Sequence, residues 1–236
     1  MLKYKESFIP EKIKTHQVIE ILMTTLDARD NNTFEHSWRV AETVTLLAEE
    51  LKFNKKEIEK IHIAAHLHDI GKIGVPDNIL NKSGRLTSKE MLEIQRHPVI
   101  GYDILKKTPI FDSIAPIVLY HHERFDGQGY PAGLEGKGIP LAARIIAVAD
   151  AFDAITSSRS YRTAQDCDFA YKEINAHSGE QFDSNVVEIF NQKFNSIIKK
   201  TEKINNNFKK EFVPWKQRKE DIEHQKLPHS CKVCNL

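Results

Sequence analysis

Cysteine is scarce, with three in 236 residues, two of them packed into Cys231-Lys-Val-Cys234 near the end. Three thiols cannot build a disulfide framework, which excludes the disulfide-stapled secreted class and fits a reducing compartment. Long apolar runs are missing too. The longest, over residues 114–120, falls far short of the roughly 18–20 residues that cross a bilayer. Residues 1–10 have no apolar signal-peptide core, so the expectation is a cytoplasmic protein with no membrane span. Charge of one sign is lacking as well: 34 Lys and Arg offset 33 Asp and Glu. Nothing global therefore draws the chain to a nucleic-acid polymer or a membrane surface. With 10 Gly and 9 Pro against 40% hydrophobic and 28% charged residues, collagen-like and disordered classes are excluded. Strand signals are sparse, with no sustained alternation and a lone Asp126-Gly127 turn pair. The fold class expected is all-α.

What the chain has is helical periodicity. Val40, Val44, Leu47 and Leu51 recur at i, i+4, i+7 and i+11, one apolar stripe on a helix of about four turns. His36 lies four residues before Val40 and so faces the core, where an unpartnered imidazole is costly. A second helix is expected over 57–69; its stripe (Ile58, Ile61, Ala65, His68) again ends on a histidine, and Gly71, Gly74 and Pro76 stop it. After a loop over 77–86, Thr87-Ser88-Lys89-Glu90 supplies a capping box, and His97-Pro98 opens another helix with proline in its first turn. Further helices are expected over 112–121, 141–155, 166–175 and 183–200. The one over 141–155 is almost wholly apolar except for Arg144, Asp150 and Asp153. Residues 123–140 hold five of the ten glycines and read as a long shaped loop.

Eleven histidines stand out. His36, His68 with Asp69, His97, His121 with His122, and Asp150 lie on or beside buried faces in five segments. Helical bundles build metal sites in this way, with inward side chains from facing helices. Five His and two Asp exceed the needs of one ion; a two-metal cluster uses such an inventory, with a carboxylate such as Asp69 able to bridge. Nitrogen and oxygen ligands without thiolate leave iron, manganese, cobalt and zinc open. The plain alternative is that these are hydrogen-bonded core residues. His62 and His66 also make a neater i, i+4 pair than the residues chosen, and pattern alone leaves that choice open. His16, His177 and His224 read as surface residues.

The arrangement of the whole set carries a resemblance. His68-Asp69-Ile70-Gly71-Lys72-Ile73-Gly74-Val75-Pro76, then His97-Pro98, then His121-His122-Glu123-Arg124-Phe125-Asp126-Gly127-Gln128-Gly129-Tyr130-Pro131 resembles the HD-GYP family, bacterial cyclic di-GMP phosphodiesterases within the HD phosphohydrolase superfamily. The likeness runs from about Asp27 to Phe190 and continues through residues 139–145 and 149–154. It implies an HD-domain helical bundle with a metal site between helices and a Gly-Tyr-Pro loop. It divides the chain into a helical lead-in (1–26) and a catalytic domain (27–198); the basic C-terminal tail (199–236) reads from its composition as a helical extension with a loosely ordered, partly disordered end. It implies metal ligands at His36, His68, Asp69, His97, His121, His122 and Asp150, with Asp69 bridging two divalent ions, iron or manganese. Lys72 would meet the substrate phosphate, and Asp69 and Lys72 are the catalytic pair implied. Arg159 and Arg162 match family positions that hold phosphate, with a solvated surface pair as the alternative. Gly129, Tyr130 and Pro131 would line the site. Glu123 and Asp126 would act as outer partners fixing the tautomers of ligand histidines.

A hydroxide bridging two metals is a strong nucleophile near neutral pH, and in-line attack builds phosphoryl charge offset by the ions and Lys72. The expected products from cyclic di-GMP are pGpG and, after a second hydrolysis, GMP. The alternatives are another cyclic dinucleotide such as cyclic GMP-AMP, or a weakly catalytic nucleotide-binding signalling module. Protein partners could dock through the Gly-Tyr-Pro loop or the tail; the oligomeric state is left open. The chain departs from the family at Asn32, where some members carry a third-metal Glu, so two ions are expected. Ser160 stands where the family has proline. Only about 25 residues precede the matched region, where members usually carry a sensory domain, so regulation is expected to come from elsewhere or be absent. In the tail, His224, His229, Cys231 and Cys234 have the ligand types of a structural zinc, but one Cys-x-x-Cys reads more readily as two free thiols, or as half of a site completed by another chain.

Overall fold

A computed structural model gives the structure of residues 15–30, 33–157 and 164–211. Among the described residues the chain is helical, and its β contacts are the isolated bridges Asp126–Glu135 and Ser178–Phe182. The centre of the bundle is α2 (Thr33–Glu50), which packs against α3 (Lys55–Leu67), α8 (Leu141–Thr156) and α10 (Ser184–Glu211). The stripe predicted from periodicity is its inner face: Val40, Val44 and Leu47 are fully buried. Each such side chain contributes about 1.5–3 kcal/mol on leaving water. Asn54 and Glu57 form a capping box that starts α3. Ahead of α2, α1 (Thr15–Asp27) adds Ile19 and Met23 to the same core, and its Leu26 is fully buried.

Helix α3 ends at Leu67, two residues before the predicted stop, and the chain tightens into a 3₁₀ turn at Ile70–Gly74. That turn lies against α6 (His97–Leu105). Gly71 makes the approach possible, since a Cβ there would sit 1.9 Å from the carbonyl oxygen of His97 and 2.5 Å from the nitrogen of Gly101. Both neighbours are backbone and cannot rotate away.

The stretch expected as a loop over 77–86 contains α4 (Asp77–Leu80), and α5 (Ser88–Ile94) follows with the predicted Thr87–Glu90 capping box. The helix expected over 112–121 is shorter, α7 (Ala115–Leu119), preceded by a 3₁₀ turn at Pro109–Phe111. Proline at residue 116 has no N–H and sits in the first turn of α7, where that donor is not needed. Asp166 caps α9 (Cys167–Ala176) through the amide of Phe169 at 2.6 Å.

Helix α10 runs 11 residues past position 200 and across the expected domain boundary at 198, so the first part of the tail is the helical extension expected of it. It continues because its inner face continues: Ile197 and Ile204 are buried, and the Phe208 ring lies 5.8 Å from Phe34 and 6.2 Å from Trp38. The three consecutive asparagines at 205–207 fall on a helix held by packing. No helix among the described residues is long and apolar enough to cross a membrane.

Candidate metal centre

The seven donor residues are delivered by five segments. His36 comes from α2, His68 and Asp69 from the end of α3, His97 from the start of α6, His121 and His122 from the turn after α7, and Asp150 from α8. Their donor atoms form two groups sharing one carboxylate: His36, His68 and Asp69, and Asp69, His97, His121 and His122, each within 4.8 Å. Asp69 spans the two, with Oδ2 3.3 Å from His68 Nε2 and Oδ1 3.3 Å from His97 Nε2. Asp150 joins the first group, its Oδ1 3.3 Å from His36 Nε2 and 4.0 Å from His68 Nε2.

The proton positions follow from the hydrogen bonds. His68 Nδ1 donates to the carbonyl of Ala65 at 2.7 Å, His97 Nδ1 to Ile94 at 2.8 Å, and His121 Nδ1 to Val118 at 2.6 Å. Each acceptor lies in the last turn of α3, α5 or α7, where carbonyls run out of intrahelical partners. A carbonyl can only accept, so the proton is on Nδ1 and Nε2 keeps its lone pair. His36 Nδ1 donates instead to Asp153 Oδ2 at 2.7 Å.

The consequence is two pairs of Nε2 atoms facing each other, His36 with His68 and His97 with His121, each 3.3 Å apart. Protonation does not relieve the second pair. Burial pushes the His97 pKa down to about 3 and that of His122 to about 4, and burial with three neighbouring imidazoles holds His121 well below the ordinary value. For His36, burial acts downward but hydrogen bonds to Asp150 and Asp153 outweigh it and raise the pKa to about 9. Burial would raise Asp69 and Asp150, yet Lys72 and His68 hold Asp69 well below the carboxylate range, and His36 does the same for Asp150. Inward-facing imidazole nitrogens, ionised carboxylates and no thiolate are the donor set of a divalent cation site.

The surroundings shape a mouth. Lys72 Nζ is 2.7 Å from Asp69 Oδ2 and 3.7 Å from Asp30 Oδ2. The Tyr130 ring lies 4.9 Å from that of His122 at 31°, and burial with Asp69 and Asp150 raises its phenol pKa. Gly129 permits this placement, since a Cβ there would fall 2.2 Å from the nitrogen of Arg124. Pro131, joined to Tyr130 by a cis peptide, is exposed.

Glu123 and Asp126 do other work than tautomer fixing. Glu123, buried, accepts the amides of Ala132, Gly133 and Leu134 at 2.7, 3.1 and 3.0 Å and ties down the Gly-Tyr-Pro loop. Asp126 pairs with Arg124 at 2.6 Å and accepts the amide of Gln128. Fixing four of the five histidines falls to the three carbonyls and to Asp153, which the sequence shows among the acids of its helix without marking its role. The signal was there: Asp153 is three residues from Asp150, on the same side of a buried helix.

His62 and His66, the competing pair, face each other with Nε2 atoms 3.1 Å apart, and His62 Nδ1 lies 2.9 Å from Thr45 Oγ1. His66 packs on Trp38. Neither belongs to the Asp69 cluster. His177 is partly exposed beside Glu173 and Glu180. Asn32, Arg159, Ser160, Arg162, His224, His229, Cys231 and Cys234 lie outside the described residues, as does the side chain of His16.

A family model described as HD domain matches residues 20–186. A cyclic di-GMP phosphodiesterase of Thermotoga maritima is 43% identical over 176 residues, 74% of this chain and 48% of that protein. The cyclic di-GMP phosphodiesterase response regulator RpfG of Xanthomonas campestris pv. campestris is 42% identical over 177 residues, 74% of this chain and 47% of that protein. A 3′3′-cGAMP-specific phosphodiesterase of Vibrio cholerae is 39% identical over 158 residues, 66% of this chain and 37% of that protein. The chain thus spans about half the length, or less, of the curated relatives it matches. Among solved structures, a cyclic GMP-AMP-specific phosphodiesterase of V. cholerae superposes with a TM-score of 0.59 at 19% identity, covering 80% of this chain and 53% of that one. The HD domain of the Listeria monocytogenes phosphodiesterase PgpH gives 0.53 at 18% identity, covering 78% of this chain and 98% of that one. These two share the fold. On the family match and the closeness of its relatives, the chain belongs to the HD-domain family, in its HD-GYP branch.

Proposed function

We propose that the chain is a metal-dependent phosphodiesterase that hydrolyses cyclic di-GMP to pGpG, GMP or both. The observation that carries this reading is the position of Asp69, one carboxylate shared by two groups of inward-facing imidazole nitrogens. His36, His68, Asp69 and Asp150 would hold one divalent ion, and Asp69, His97, His121 and His122 a second, with iron or manganese suited to such donors. Ions so held lower the pKa of bound water toward neutrality and neutralise phosphoryl charge.

The chain's own side chains do the rest. Lys72, beside Asp69, places an ammonium where a non-bridging phosphoryl oxygen would come to rest, so charge that grows in the transition state meets a fixed positive partner. Tyr130 covers His122 with an aromatic wall that narrows access of water and offers a face to a purine. Arg159 and Arg162, just beyond α8, are proposed to hold the phosphate that is not being cleaved. The names of the T. maritima and X. campestris relatives support cyclic di-GMP as the substrate. The cGAMP-specific relative, 39% identical, supports cyclic GMP-AMP as a second reading.

The test is anaerobic purification, metal analysis and hydrolysis of cyclic di-GMP on one sample, with Asp69→Ala alongside. About two ions per chain are expected, with turnover to pGpG or GMP that the variant loses. Absence of bound metal, or full activity in Asp69→Ala, overturns the reading. Comparing kcat/KM across cyclic dinucleotides decides between the two substrates.

A further inference from the structure

The four imidazoles whose Nδ1 partner is fixed are not held alike. Three donate to neutral backbone carbonyls, while His36 donates to the carboxylate of Asp153. An anionic acceptor pulls harder on the Nδ1 proton and leaves more electron density on Nε2, which makes that imidazole the stronger ligand.

Asp153 is 3% exposed and cannot turn away, because Arg39 grips both of its oxygens, Nε on Oδ1 at 2.5 Å and Nη2 on Oδ2 at 3.2 Å. Arg39 is secured in turn: Nη1 donates to Glu35 and, across the bundle, to Asn205 of α10 at 3.2 Å, and Nη2 to Ser157 at 3.0 Å. His36 and Arg39 stand three apart on α2, so the carboxylate from α8 fits between them. Burying a carboxylate with a guanidinium adds little stability over a packed apolar pair, so the arrangement calls for another reason. The aim of the His36 ring supplies one.

We infer that Asp153, clamped by Arg39, is a positioning residue for His36 alone and makes the two halves of the metal centre unequal, the His36 half holding its ion more tightly. This rests on the metal-centre reading above. The donor count points the same way: two carboxylates and two imidazoles on the His36 side, one carboxylate and three imidazoles on the other.

The test separates the halves. Metal-free protein is titrated with Mn²⁺ without oxygen, followed by electron paramagnetic resonance of the free ion, in His97→Ala, which leaves the His36 half, and in His36→Ala, which leaves the other. Asp153→Asn is then added to each. The expected result is a loss of about 10–100-fold in Mn²⁺ affinity in the His97→Ala background, with less than a threefold change in the His36→Ala background. Equal losses in both backgrounds, or none in either, overturn the inference; a purely structural role for Asp153 gives the equal losses. If neither background binds an ion while wild type also binds none, the metal-centre reading itself fails. Should Asp153→Asn lose the helical circular dichroism of wild type, Arg39→Lys replaces it. That variant keeps the charge but not the two-point grip, and the same selective loss is expected and the same outcomes decide.

Discussion

Replacing Glu123 by glutamine tests whether the Gly-Tyr-Pro loop is held by a single buried carboxylate. Oε1 accepts the amides of Ala132 and Gly133, and Oε2 that of Leu134, in a site where the residue is 4% exposed. Glutamine can keep the first two bonds with its one oxygen, but its amide NH₂ then faces the Leu134 N–H, donor against donor. One hydrogen bond to a charged group is lost, at about 1.5–3 kcal/mol, and the two that remain lose their charge assistance. Against this, a neutral amide is cheaper to bury than a carboxylate, which returns part of the loss. The net expectation is about 2–4 kcal/mol of destabilisation. For a chain of this length that lowers Tm by about 4–16 °C if the loop unfolds with the domain. If the loop lets go by itself, the same energy appears as a fall in hydrogen-exchange protection of about 30-fold or more at the amides of 132–134, with Tm almost unchanged. Differential scanning calorimetry and exchange measured on one preparation cover both routes. Wild-type Tm together with wild-type protection at those amides would refute the reasoning, and would mean that the packing of Gly129 against residues 123–124 holds the loop without the carboxylate.

Gly71→Ala is expected to act at a distance of one turn. Its methyl would meet the His97 carbonyl at 1.9 Å, so α6 must move out, at about 1–3 kcal/mol or more. His97 is drawn away from Asp69, and metal analysis should show the three-histidine half depleted; full metal content at wild-type Tm would contradict this. Glu90 gives a prediction in pH. Hydrogen bonds from Lys82 and from Thr87 lower its pKa from 4.5 to about 2, so its ionised form supports the start of α5 fully above pH 4.5 and that support is lost as the pH falls toward 2. A carboxyl titration followed by NMR should place the midpoint near 2, and Glu90→Gln should remove the stability change across that interval; a midpoint near 4.5 would show that the capping box does not persist in solution.

Much of the bundle was legible because burial writes itself in period 3.6: the α2 stripe and the apolar run of α8 are read directly, and the cap at Thr87 marks a start that packing does not override. What was not legible depends on contacts between segments far apart in the chain. A helical extension past 200 could be read from the sequence, but its reach to Glu211 could not: Asn205 and its neighbours have poor propensity, and Phe208 meeting Phe34 and Trp38 decides it. The donor inventory of the centre could be listed from sequence, but which nitrogen of each ring faces inward could not. That is set where a helix ends: His68, His97 and His121 each take the carbonyl three residues back, and ends are the least certain feature of a helix read from pattern. The same geometry explains why tautomer partners were sought in Glu123 and Asp126, the nearest acids in sequence, and found elsewhere. Three rings close on a helix-end carbonyl three residues back in the chain, whereas the ring that lies inside a helix takes an acid from another helix. His36 is that ring, three residues into α2, and Asp153 reaches it from α8.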